Sequence, residues 1–183
     1  MSLISALDNV HHQGQFGDFE DKKGDDLLQI SEKKNLLIVQ IVQFKNSKIP
    51  IESIDIDGLK LKDSSLNVAF NENTRILWNG PKNWLLVSSK KDLIKNISLT
   101  FKETDFAVTD LSHSRVVIEI EGNYVLEVLK KGSPFNFDIL KKNNSINSLY
   151  NNIAFTVDLL NDKPFNVRSV SYTHLTLPTS DLV

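Results

Sequence analysis

The sequence predicts an α+β domain, a sandwich of antiparallel or mixed sheets with helices packed on them. Three observations lead there. Short β-branched segments are interleaved with segments whose apolar residues recur at helical spacing. No strand runs into a glycine-rich phosphate loop, which sets the chain apart from dinucleotide-binding folds. The 183 residues, 40% hydrophobic and 24% charged, suffice for one core or for two small subdomains sharing one.

Taken in order, residues 1–26 are polar, carry Gly14, Gly17 and Gly24 among mixed charges, and read as a loosely ordered arm. The domain proper is expected over residues 27–169. Its first clear strand is NLLIVQIVQF, residues 35–44. Pro50 suits the first turn of a short helix that stops near Gly58. TRILW and NWLLVSS flank Asn79, Gly80 and Pro81, a turn signal that makes the pair a hairpin. A helix follows, with Ser89 as its candidate cap and Leu93, Ile94 and Ile97 on one face. FAVTDL and RVVIEIEG are strands, the second alternating apolar and acidic residues. NYVLEVLKKG is a helix with Val125, Leu126, Val128 and Leu129 inward and Gly132 at its stop. KKNNSINSLYNN is polar and reads as a loop, and IAFTVDLL as the last strand.

Residues 170–183, VSYTHLTLPTSDLV, match the translation of a common transposase sequencing adapter, whose frame closes on a valine. The native domain is therefore expected to break off near Ser169, leaving His174 outside it. Residues from Val170 onward are expected to pack poorly.

Composition narrows the function classes. The formal charge of −2 offers no basic surface for nucleic acid and no asymmetry for a membrane surface. With no cysteine, disulfides, thiolate nucleophiles and cysteine-ligated zinc are excluded. Residues 36–39 form the longest apolar run, too short for a bilayer, and the start has no basic leader. A cytoplasmic protein is expected.

The densest chemistry lies in TDLSHSR, residues 109–115. A Ser-His-Asp mechanism needs the imidazole between hydroxyl and carboxylate. In one extended strand Asp110, Ser112 and Ser114 share a face while His113 points the other way, so neighbours cannot form a triad. The segment reads instead as a strand end whose polar side chains bond nearby backbone. His11 and His12 face apart and lack a third ligand, so no metal site is expected. Asp55, Asp57 and Asp105 read as solvated carboxylates. The lysines at 33–34, 90–91, 130–131 and 141–142 read as solvated faces. Trp78 and Trp84 flank the hairpin turn as core residues, one of them a possible interface anchor. No catalytic, cofactor-binding or metal-binding residue is identified.

Two motifs reach further. LWNGPKNWLLVS, with Trp78, Gly80, Pro81 and Trp84, resembles the tryptophan-rich hairpin of the gamma subunit of heterotetrameric sarcosine oxidase. The segment running from Ala107 to Phe137 is similar to that family's second signature. It contains Asp110, Ser112, His113, Arg115, Gly122, Gly132 and Pro134. FNVRS, residues 165–169, resembles a third element, after which the family continues into an amphipathic helix. Residues 108–129 also resemble the folate-binding aminomethyltransferase fold. Where those enzymes carry Thr-Asn-Asp, this chain has GSPFNFD, so the resemblance implies the fold and not folate chemistry.

What the resemblance implies is a non-catalytic gamma subunit of a bacterial complex that oxidatively demethylates sarcosine to glycine. FAD, FMN, NAD, tetrahydrofolate and zinc would sit on other subunits, and the large alpha subunit would be the direct partner, with beta and delta completing the tetramer. Asp110, His113 and Arg115 would tie a strand end to its neighbours. The homologous subunit of N-methylglutamate dehydrogenase and a stand-alone folate-binding domain are the alternatives.

Overall fold

The computed structural model describes residues 27–172, together with Leu7 and residues 14–17. His11, His12 and His174 lie outside the described residues, as does most of the N-terminal arm.

Among the described residues, eleven strands form two facing sheets with one α-helix on each outer side, and two further strands make a small hairpin. The first sheet contains β1 (Gly14–Phe16), β2 (Leu28–Glu32), β10 (Arg115–Glu121), β11 (Ser145–Tyr150), β12 (Ile153–Asp162) and β13 (Phe165–Tyr172), in the order β1-β2-β10-β13-β12-β11. The second contains β3 (Leu37–Gln43), β6 (Val68–Phe70), β7 (Thr74–Gly80), β8 (Asn83–Ser88) and β9 (Phe106–Asp110), in the order β6-β7-β8-β3-β9. β4 (Asp55–Ile56) and β5 (Leu59–Lys60) make a small hairpin. Every described pairing is antiparallel, as an α+β sandwich predicts.

Strand alternation sorts side chains into three apolar layers. In β3, Leu37, Val39 and Ile41 point outward to α1 (Leu93–Thr100), while Ile38 points inward to the other sheet. In β8, Trp84 and Leu86 likewise face α1, while Leu85 and Val87 face inward. Val117 of β10 and Val170 of β13 meet them from the opposite sheet. On the far side Phe155, Val157 and Leu159 of β12 pack under Val125, Leu126 and Leu129 of α2 (Val125–Gly132), with Val128 half-buried. Lys130 in the last turn of α2 pairs with Glu127 and Asp138, favourable at the negative helix end.

The structure corrects five local expectations. The segment after Pro50 makes only a 3-10 turn at Ile51–Ser53, because the Asp55–Lys60 hairpin takes over. Asp55 Oδ1 closes that hairpin by accepting from the Gly58 N–H at 2.8 Å. α1 starts after Asp92 rather than Ser89, whose hydroxyl donates to Asn73 Oδ1 at 3.1 Å. The polar KKNNSINSLYNN stretch contains β11, paired along its length with β12. Part of the arm is strand, since β1 pairs residue for residue with Leu28–Ile30. Finally, Val170, Ser171 and Tyr172 do not pack loosely: they finish β13, and Val170 is 3% exposed.

Candidate functional site

The chain passes between the sheets at two adjacent places, from β2 to β3 and from β9 to β10. The second crossing is TDLSHSR. It is no single strand: β9 ends at Asp110, residues 112–114 turn, and β10 starts at Arg115. The Asp110 carboxylate accepts from the Ser112 N–H at 2.9 Å and from the Ser112 hydroxyl at 2.6 Å. Ser112 Oγ in turn accepts from the Ile38 N–H at 2.9 Å, and the Leu111 N–H donates to Ile38 O at 2.8 Å. Ser114 closes the turn onto Leu111 O through its N–H at 2.9 Å. The Ser112 hydroxyl thus donates to the Asp110 carboxylate while accepting from backbone, the Ser114 hydroxyl donates to Leu111 O at 3.2 Å, and no imidazole among the described residues bonds to either of them. His113 is exposed and makes no hydrogen bond with a described residue, so it is not one of the ties.

Arg115 has a different setting. Its guanidinium lies 3.4 Å from the Tyr172 ring centroid and donates once, from Nη1 to Ser114 O at 3.3 Å. Beside it opens a cleft of about 260 Å³ between the sheets. Gln40, Asn79, Asn147 and Thr156 supply its polar wall, and Leu85 and Val170 much of its apolar one. Asn147 braces the wall, donating to Asn79 O at 2.9 Å and accepting from Thr156 Oγ1 at 2.7 Å. The sequence reading singled out Arg115 but none of these wall residues. Nothing local marks them, because they come from six strands that only the topology brings together.

At the other end of the same interlayer runs a row of charges. Arg75 of β7 grips Asp158 of β12 with two hydrogen bonds, Nε at 2.5 Å and Nη2 at 2.7 Å. Asp158 is 1% exposed. Burial pushes its carboxyl up, against the pull of the Arg75 fork. Arg168 sits opposite Asp158 in register and pairs with Glu119 at 3.1 Å, and Lys33 reaches Glu119 at 3.2 Å. Burial would raise the Glu119 carboxyl, but Lys33 and Arg168 together hold it below its ordinary range. The signal for the buried pair was present in sequence: a charged residue at an inward position of TRILW and of FTVDLL.

The remaining signature residues lie in the β7–β8 hairpin, between β10 and α2, and at the end of α2. Both indoles hold the segment at residues 62–63: Trp78 Nε1 donates to Asp63 Oδ1 at 2.8 Å and Trp84 Nε1 to Lys62 O at 2.9 Å. Trp84 is a core residue and Trp78 is half-buried. Pro81 and Lys82 form the two-residue turn that follows Gly80, with Lys82 at φ 55°. Gly122 sits at φ 145°, where an added Cβ would stand 2.7 Å from Leu27 O. At Gly132 a Cβ would strike the Tyr150 ring at 2.5 Å, so this glycine makes room for packing beyond ending α2. Pro134 is exposed just after the helix. Asp57 is not simply solvated: it accepts from Lys90 at 2.6 Å, Thr74 at 2.7 Å and Asn71 at 3.1 Å. Among the described residues no group of three or more His, Asp or Glu is placed to hold a metal ion, and no helix is long and apolar enough to cross a membrane.

No family model matches the sequence, and no curated protein matches it. Solved structures do. One is a chain of heterotetrameric sarcosine oxidase from Corynebacterium sp. U-96, in complex with pyrrole 2-carboxylate. It superposes with a TM-score of 0.73 at 20% identity, covering 82% of this chain and 78% of that one. Despite the low identity, this chain has the fold of a heterotetrameric sarcosine oxidase chain.

Proposed function

We propose that this chain is a non-catalytic, gamma-type subunit of a heterotetrameric complex that oxidatively demethylates sarcosine to glycine. The observation that carries the reading is the fold shared over 82% of the chain with a chain of such an oxidase. The two gamma-like motifs support it, and so does the use made of them. Asp110 and Ser112 lace the sheet crossing, Trp78 and Trp84 pin the hairpin, and Gly122 and Gly132 permit close approach. These are the tasks of a subunit that presents surface rather than chemistry. On this reading FAD, FMN, NAD, tetrahydrofolate and zinc belong to the other subunits, and the large alpha subunit is the direct partner. The complex is a bacterial, cytoplasmic one, and the native sequence gives way to adapter-derived residues after about Ser169.

Co-expression with the alpha, beta and delta subunits tests this. The chain is expected to co-purify in a complex that forms peroxide from sarcosine, while the isolated chain shows neither flavin absorbance nor turnover. Sarcosine-dependent peroxide from the isolated chain overturns the reading. Offering N-methylglutamate to the same complex separates the homologous dehydrogenase, and titrating the isolated chain with tetrahydrofolate tests a stand-alone folate domain.

A further inference from the structure

Of all the asparagines in the chain, only Asn79 precedes a glycine. The side-chain amide of an asparagine can be attacked by the next backbone nitrogen, and glycine has no side chain to block the approach. The structure adds to this at Asn79. The β7–β8 register shifts there: Trp78 pairs with Trp84 and Gly80 with Asn83, so Asn79 is a bulged residue with no partner in β8. Its side chain is half-buried and bonds to no described residue. Around Gly80 the space is open, since an added Cβ would find only Asn83 Cβ, at 4.0 Å. Other positions lack this combination. Asn144 and Asn147, which precede serines, have both ends of their amides hydrogen-bonded. At Asn46 the Ser47 side chain stands in the way. Asp57, which precedes Gly58 and is open to the same attack, has its carboxylate held by Lys90, Thr74 and Asn71.

We propose that Asn79 is a site of spontaneous deamidation, and that its modification loosens the tie between the two sheets. The Gly80 nitrogen gives its proton to hydroxide and bonds to Asn79 Cγ. The Cγ–Nδ2 bond breaks, ammonia leaves, and a cyclic imide remains. Water then opens the imide at either carbonyl, with no change of oxidation state. Opening at Cγ leaves aspartate in an unaltered main chain. Opening at the main-chain carbon leaves isoaspartate, with that carbon now a free carboxylate and the link to Gly80 running through Cγ, one atom longer. The carbonyl so altered is the one that accepts from Asn147 Nδ2 at 2.9 Å, across from β7 to β11. The modified hairpin therefore loses its seat on the opposite sheet. The inference concerns this chain alone and stands whichever assembly it joins.

The test incubates the full chain at mildly alkaline pH, folded in one sample and unfolded in urea in the other. Trypsin then releases residues 76–82, a peptide with no other asparagine. This peptide is expected to be the first of the asparagine peptides to exchange its amide for a hydroxyl, in two chromatographic forms, aspartate and isoaspartate. The folded rate is expected to lie within about tenfold of the unfolded one, because only the bulge has to open. Modified protein, separated by its added negative charge, is expected to melt at a lower temperature than unmodified protein. Asn79→Gln, whose longer side chain closes the ring poorly, is expected to keep the unmodified charge through the same incubation. A folded rate below that margin, earlier reaction at another asparagine, or an unchanged melt of the modified chain each overturns the proposal. Should Asn79→Gln fail to fold, the peptide rates and the melt of the natural sequence decide it.

Discussion

Asp110 and His113 stand three residues apart in the same signature and differ in what they touch. The Asp110 carboxylate organises Ser112, which in turn holds the Ile38 amide of the neighbouring strand. Asp110→Ala should therefore cost about 1–2 kcal/mol in a urea denaturation series, as one buffered network of hydrogen bonds is lost. His113→Ala should stay within about 0.5 kcal/mol of wild type, since the imidazole bonds to nothing described. A large effect of His113→Ala on turnover of the complex, with stability unchanged, would give that histidine a chemical role. Asp57 answers to pH. The ammonium of Lys90, with the Thr74 hydroxyl and the Asn71 amide, lowers its carboxyl from 3.8 to about 2. A carboxylate depressed in the folded state stabilises fully above its ordinary value, and loses that contribution as pH falls toward 2. Asp57→Asn should thus be less stable than wild type at pH 6, with the gap closing between about pH 4 and 2. Denaturation series across that range check it, and a gap that widens in acid would contradict the assigned hydrogen bonds.

Strands were legible in the sequence where packing demanded many β-branched residues. β3, β7, β8, β9, β10 and β12 each bury side chains in an interlayer or under a helix, and their alternation shows it. β11 was not legible. It lies at a sheet edge, with Asn147 and Leu149 exposed, and its asparagines and serines read as loop. Its strand character comes from β12, thus from tertiary pairing that overrides local propensity. The candidate site was legible to the same degree: Arg115 stood out, while the cleft around it is a product of strand order. β13 gives the element-scale prediction. Val170→Asp would place a carboxylate between the sheets beside Val117 and should cost more than about 3 kcal/mol. Tyr172→Asp, two residues on and exposed, should cost far less. Thermal melts of the two variants check the contrast. Equal losses would mean that the strand end does not seat as described.

Over the whole molecule, the interlayer is apolar at its centre, with an ion pair at one end and an open cleft at the other. The Arg75–Asp158 pair joins the two sheets directly. Removing one partner leaves the other charge buried, so Arg75→Met or Asp158→Leu alone should destabilise by about 3–5 kcal/mol. The double replacement should be milder than either single one, because it leaves an apolar contact in place of a stranded charge. A full set of urea midpoints for the cycle checks this.

The two laced crossings also bear on the order in which the protein can be made. Residues 37–110 form the second sheet as one uninterrupted stretch, and its ends meet where Ile38 bonds to Leu111 and Ser112. β2 precedes that stretch, yet its partner β10 follows it. During synthesis the second sheet can therefore close while still tethered to the ribosome. β2 must wait, with one edge open, until residues 115–121 emerge. Once Ile38 and Leu111 are joined, the effective separation between β2 and β10 shrinks from most of a domain to a few residues. The entropy of that loop is settled by the second sheet before β2 and β10 pair in the first. A strand made before the second sheet is thus among the last to find its place.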